Sequence, residues 1–171
     1  MNFFTEENVA KHREYLKDLN LKYSILKKSA SVLDGKDINE IYSLRTDKDL
    51  KRDALRLLYL IRMHELYFSS FSDIAYLSSD TVRKQYKNEA DLLNGIYKKA
   101  LATDHGFVLV YLCKGKIEIV EGTLENLIKG YGKPMLALDV CEHSYFLDYG
   151  FCKDKYLIAS IPYLKIDIFD I

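Results

Sequence analysis

Tryptophan is absent from the 171 residues, although 14 tyrosines and 8 phenylalanines make the chain aromatic. Proline occurs twice and glycine eight times, too seldom for a repeat linker or a disordered tract. Net charge of either sign is also missing, because 25 basic side chains balance 25 acidic ones. This removes the simplest case for a nucleic-acid binder, which carries a basic excess. It also means that an anionic substrate has to be drawn by local charge, not by the field of the whole protein. The three cysteines, Cys113, Cys141 and Cys152, are odd in number and lack Cys-x-x-Cys spacing, so they read as thiols in a reducing compartment and not as a disulfide framework. No apolar run reaches the roughly 18 residues of a membrane span. The stretch Met1 to Glu7 has neither the basic start nor the apolar run of a secretory signal. The expectation is a soluble cytoplasmic protein of one or two domains, with no membrane or nucleic-acid partner.

At 49% hydrophobic residues the chain has enough apolar material for a core. Thr5 followed by Glu6, Glu7 and Asn8 predicts a helix N-terminus, and Val9, His12, Leu16, Leu19, Tyr23 and Leu26 then recur at helical steps. Ser29 to Gly35 breaks the pattern, and Asp37 to Leu44 predicts a short helix. A second long helix is predicted from Asp47 to Phe71, with Leu50, Ala54, Leu57, Leu58, Ile61, His64 and Phe68 on its inner face. Two long helices with a modest connection predict an antiparallel hairpin. Another helix is predicted from Thr81 to Leu101. Phe107 to Leu112, a Lys114-Gly115 turn and the alternating Lys116 to Val120 predict a β-hairpin. Gly130, Gly132 and Pro134 mark a loop, Met135 to Val140 a third strand, and Asp154 to Ile161 a closing helix. Helices followed by a small sheet with helices give an α+β fold: an N-terminal antiparallel helical hairpin domain over residues 1–78, then a C-terminal α/β domain over 79–171 with a three-stranded antiparallel sheet.

Only four histidines occur. His12 and His64 fall on the apolar faces of the two long helices, and His143 follows Asp139 by four residues at the end of the third strand. His105, before a strand, reads as a loop residue. Asp139 ends an apolar strand, where an ionised carboxylate needs a strong partner. A metal ion is one such partner and an arginine is another. Imidazole and carboxylate together suit iron, manganese or zinc.

Asp139-Val140-Cys141-Glu142-His143-Ser144-Tyr145-Phe146-Leu147-Asp148-Tyr149 resembles the D-V-W-E-H-A-Y-Y-x-D-Y segment of the iron/manganese superoxide dismutases. His64 to Phe68 resembles the family's N-H-x-x-F/Y-W segment. Phe4 to His12 resembles its L-S-x-E-T-x-x-x-H, and Lys116 to Val120 its K-L-x-V-V strand. The resemblance implies one iron or manganese ion per subunit, held by His12, His64, Asp139 and His143 between the two domains. It implies superoxide as substrate and a homodimer. In that dimer Glu142 reaches the partner's counterpart of His143, with Tyr145 beside it at the interface. Such an outer acceptor fixes the histidine tautomer.

The sequence departs from the family around this site. Cys141, Phe107, Leu109 and Phe68 stand where the family has tryptophan. Leu60 occupies one of its two glutamine positions and Glu125 the other, and a carboxylate donates a hydrogen bond only when protonated. Aligned without a gap, Leu16 and Asn20 take the positions of the family's gateway histidine and tyrosine. Alternatively Tyr15 to Asn20 matches its Y-V-x-x-L-N, and a further register puts Glu7 at the first-ligand position. The distance from Thr5 and the apolar face favour His12, which leaves Tyr15 and Glu125 as the catalytic candidates beside the metal. Phe146 replaces the family tyrosine that bonds the gateway histidine. Lys11, Arg13 and Arg62 are basic candidates for drawing an anion in. The function expected is superoxide disproportionation. The alternatives are a non-catalytic binding or structural protein of the same fold, and a metal-dependent peroxidase or oxidase.

Overall fold

Thr5 opens the first helix. Its Oγ accepts the Asn8 N–H at 3.3 Å, and Glu6 and Glu7 fill the first turn, where the helix dipole favours acid. In a computed structural model, which describes residues 3–129 and 132–170, this helix is α1 (Glu6–Ser29). A short 3₁₀ turn follows, and then α2 (Ile38–Ser43), closed at its start by a reciprocal capping box of Asp37 and Glu40. Asp47 caps α3 (Lys48–Ser69) by accepting from the Asp49 and Leu50 N–H groups. α1 and α3 run antiparallel: Tyr15 meets the His64 ring near one end, and Ser29 and Asp53 line the same seam towards the other.

The predicted helix over 81–101 is two helices, α4 (Asp80–Gln85) and α5 (Glu89–Ala102). The break falls at Tyr86 to Asn88, because the Asn88 side chain accepts the Asp91 N–H and starts α5 afresh. Next come β1 (Phe107–Cys113), β2 (Lys116–Gly122), α6 (Leu124–Lys129), β3 (Pro134–Asp139), α7 (Glu142–Tyr149) and α8 (Lys153–Ser160). Neither α6 nor α7 was expected from the sequence. Gly130, read as part of a loop, lies outside the described residues, while Gly132 has a φ of 91° before β3.

The strands form an antiparallel sheet in the order β2-β1-β3. The α+β architecture read from the sequence, helical hairpin first and three-stranded antiparallel sheet second, is therefore the observed one among the described residues. β1 is central and nearly fully buried, which explains its unbroken apolar run. The register sets Phe107 directly opposite Asp139 on one side and Gly122 on the other. A side chain at Gly122 would lie 2.8 Å from the Phe107 Cβ, so only glycine fits there.

Two hydrophobic clusters hold the fold. The larger joins β1, β3, α5 and α8 to Phe3, Met63, Tyr67 and Phe71, so it draws on both halves of the chain. The smaller packs Leu19 and Tyr23 of α1 against Leu33, Ile38 and Ile41 and against Ala54, Leu55 and Ile61 of α3. α3 serves both clusters, which is why Leu55, Met63 and Tyr67 are buried along with Ala54, Ile61 and His64 of the predicted face, while Leu50, Leu57, Leu58 and Phe68 of that face are only half-buried. Each fully buried side chain of this kind contributes about 1.5–3 kcal/mol. Beyond α3, the buried Ser70 hydroxyl donates to the Leu66 carbonyl at 2.7 Å and accepts the Ala137 N–H at 2.8 Å. It thereby satisfies the outer edge of β3.

Candidate metal centre

Four elements deliver one side chain each to a point between the helical hairpin and the sheet. These are His12 from α1, His64 from α3, Asp139 from the last position of β3 and His143 from the first turn of α7. Their donor atoms all lie within 4.8 Å of one another. The Asp139 Oδ2 is 3.1 Å from His143 Nε2, 3.3 Å from His12 Nε2 and 3.5 Å from His64 Nε2. The two helix histidines and the aspartate are buried, whereas the His143 side chain is 41% exposed.

Local bonds aim these groups. The His64 Nδ1 lies 2.7 Å from the Leu60 carbonyl of the preceding helical turn. It therefore carries the proton and leaves Nε2 with a lone pair facing the cluster. Asp139 Oδ1 accepts the Cys141 N–H at 2.9 Å, which turns Oδ2 inwards. The Asp139 carbonyl accepts from the buried Tyr156 hydroxyl at 2.8 Å. The start of α1 is bound to α7 through Asp148, which accepts from Thr5 and Asn8 and so brings His12 towards His143. Sequence reading missed this role of Asp148, because its partners lie about 140 residues away and no local pattern announces them.

Burial pushes the Asp139 carboxyl up, but the close imidazoles of His12 and His143 outweigh it and hold the group well below the usual carboxylate range. Burial pushes His64 down, against the pull of Asp139, and leaves it neutral. Burial alone would lower His143 too, yet Asp139 and the Cys141 thiol raise it to about 10. An ion held by these donors would require His143 to be without its proton. The donor set fits such an ion. His12 Nε2 and Asp139 Oδ2 are buried with no hydrogen-bond partner among the described residues, a costly state that a cation relieves. Three imidazoles and one carboxylate suit iron, manganese or zinc.

Tyr15 stands over the cluster, its ring centroid 5.3 Å from His64 and 5.0 Å from His143. Phe68 lies 5.0 Å from His12 and Phe107 5.2 Å from His64, so two of the rings that replace tryptophan line the site. Leu109 is instead buried in the middle of β1. The Cys141 sulfur accepts the Gly106 N–H at 3.0 Å, beside the strand start that carries Phe107. Glu125 does not join the cluster. It lies exposed in the first turn of α6, because Leu124, Leu127 and Ile128 of that helix pack onto the hairpin core. Glu142 is exposed, and Tyr145 is buried in a stack on Tyr156 at 4.9 Å. Glu7 is exposed and pairs with Lys11 at 3.0 Å. Arg13 lies over the Phe68 ring, and Arg62 faces a separate cavity. His105 is exposed between α5 and β1.

No helix among the described residues is long and apolar enough to cross a membrane. Among curated proteins, none matches the chain. The family model described as iron/manganese superoxide dismutases, C-terminal domain, matches residues 76–168, a stretch that takes in the sheet, Asp139, His143 and all of α7. With more than half of its length matched and the fold agreeing, the chain belongs to the iron/manganese superoxide dismutase family.

Proposed function

We propose that this protein binds one iron or manganese ion per chain through His12, His64, Asp139 and His143 and disproportionates superoxide to oxygen and hydrogen peroxide. The observation that carries this reading is the pair of buried orphan atoms, His12 Nε2 and Asp139 Oδ2, facing each other within a four-donor cluster. When bound, iron or manganese supplies the one-electron couple that the reaction needs. The residues themselves set charge and orientation: one carboxylate and three neutral imidazoles leave a divalent site with a net charge of +1. His64 is held in the right tautomer by Leu60. Two superoxide ions and two protons give one oxygen and one peroxide, so a proton-holding group beside the site is required. The Tyr15 hydroxyl fills that role. Glu125, exposed on α6, has none.

The proposal extends to a homodimer of this chain in the cytoplasm. Phe146, Leu147 and Phe151 are 44%, 46% and 78% exposed, next to Glu142 and the open edge of His143. Such an apolar patch marks a protein interface. A second copy seated there brings its Glu142 to His143. Three free cysteines agree with a reducing compartment.

Leu60 and the exposed Glu125, which stand at the two positions where the family has glutamine, favour one second reading, a metal protein of this family without dismutase activity. One experiment separates them. The chain is purified after supply of both metals, its ion content is measured, and superoxide decay is followed, with Asp139→Asn and His64→Ala as controls. One ion per chain and dismutation lost in both controls is expected. Absence of stoichiometric metal overturns the ligand set, and a full complement of metal without dismutation selects the second reading.

A further inference from the structure

Tyr156 lies on α8, an element that supplies none of the four donors. It is fully buried, and it touches three of the segments that do supply them. Its hydroxyl donates to the Asp139 carbonyl at the end of β3, at 2.8 Å. Its ring is stacked on Tyr145 of α7, with centroids 4.9 Å apart and planes 10° apart. Phe4, two residues before α1, is stacked on the same ring at 5.6 Å and 22°. Tyr149, one turn after Tyr145, adds a further ring contact at 6.0 Å. The carriers of His12, Asp139 and His143 therefore meet on one side chain. His64 needs no such link, because Leu60 of its own helix orients it. Packing does not account for the Tyr156 hydroxyl, since phenylalanine fills the same space. Ser144 offers a second hydroxyl near the Asp139 carbonyl, but it has one proton to give. Its oxygen lies 2.7 Å from the Cys141 carbonyl and 3.3 Å from that of Asp139, so Tyr156 makes the closer bond to Asp139.

We infer that Tyr156 is a positioning residue of the metal centre, holding Asp139 at the separation from His12 and His143 that an ion requires. The inference rests on the metal assignment above and gives a part to a residue that supplies no donor. Asp139 Oδ1 is fixed by the Cys141 N–H, and the Tyr156 bond fixes the backbone from which that side chain springs. With carboxylate and carbonyl both held, Oδ2 keeps its place 3.1 Å from His143 Nε2 and 3.3 Å from His12 Nε2. Removal of the Tyr156 hydroxyl leaves the longer Ser144 contact and frees the strand end to shift against α1 and α7. Loss of an outer partner of this kind costs about 10–100-fold in metal affinity.

The test is titration of the metal-free full chain with manganese(II), free and bound ion being read by electron paramagnetic resonance. The zero-field splitting of the bound ion reports the symmetry of its donors, which a loss of stability alone leaves unmoved. Tyr156→Phe keeps the stacked ring and removes the hydroxyl. It should raise the Kd by about tenfold and change the splitting. Tyr156→Leu should do both to a greater extent, and if it does not fold, Tyr156→Phe still decides. Asp170→Asn is the comparison, because Asp170 fastens the start of α4 and touches none of the donors. It should lower the Tm and leave Kd and splitting as in the parent. Uptake of iron(II) is followed in parallel on the same chains, with the same change expected. Tyr156→Phe with the parent's affinity and splitting overturns the inference, as does an equal weakening in Asp170→Asn. A parent chain that takes up neither ion overturns the metal assignment and the inference with it, so the two failures are told apart by the parent alone.

Discussion

Asp148 grips Thr5 with both carboxylate oxygens. Oδ2 accepts the Thr5 N–H at 3.0 Å and Oδ1 the Thr5 hydroxyl at 2.6 Å, and the Asn8 side chain adds a third bond to Oδ2 at 3.0 Å. The first turn of α1 is thereby fastened to α7, and the positions of His12 and His143 become one structural fact. Asp148→Ala removes every one of these bonds. Hydrogen bonds to a charged group are worth about 1.5–3 kcal/mol each when buried, and these are only partly so. The expected loss is about 1–3 kcal/mol in total, or roughly 5 °C in Tm by thermal denaturation. Metal affinity measured on the same variant should fall with it, because α1 no longer holds His12 in register.

Ser70 is a second long-range fastener. Its hydroxyl is the acceptor for the Ala137 N–H on the edge of β3. Ser70→Ala leaves that buried N–H without a partner, at a cost of about 1–3 kcal/mol. Urea unfolding should show a lower midpoint with an unchanged slope. Hydrogen exchange should show the Ala137 amide losing protection ahead of its neighbours on the β1 side.

Asp170 gives the fold a pH dependence at its acid edge. It accepts from the Thr81 N–H at 2.7 Å, the Ser79 hydroxyl at 2.8 Å and the Asp80 N–H at 3.0 Å. The Thr81 bond leads in lowering its carboxyl to about 2, with the Ser79 and Asp80 bonds adding to it against the opposing effect of desolvation. A depressed carboxyl stabilises the fold above its unfolded value of about 3.9 and stops doing so as pH falls through about 2. Asp170→Asn should therefore be less stable than the parent at pH 7. In denaturant titrations the gap should close between pH 4 and pH 2.

The parts of this molecule that periodicity announces are those whose cause is local. α1, α2 and α3 begin at Thr5, Asp37 and Asp47, each of which caps the backbone with its own side chain. The β1–β2 hairpin follows from Lys114-Gly115, both at positive φ. His12, His64 and Asp139 were legible because each is a polar group in an apolar pattern, His143 through its four-residue step after Asp139 and the family resemblance, and the structure gathers all four. Two of the short helices, α6 and α7, were not legible. α6 and α7 are six and eight residues long, below the length at which helix formation is favourable on its own, and α7 has no side-chain cap. Packing against the rest of the fold makes them. The misplacement of Glu125 follows directly: with α6 unseen, nothing indicated that its apolar residues would turn inwards and leave Glu125 in water.

The uneven burial of the four donors also sets a direction of approach. His12, His64 and Asp139 are sealed, with side chains no more than 2% exposed. His143 is 41% exposed, on a helix that Asp148 ties to the start of α1. An ion held by these residues would meet water, protons and chelators from the His143 side, and could exchange there without the rest of the protein unfolding.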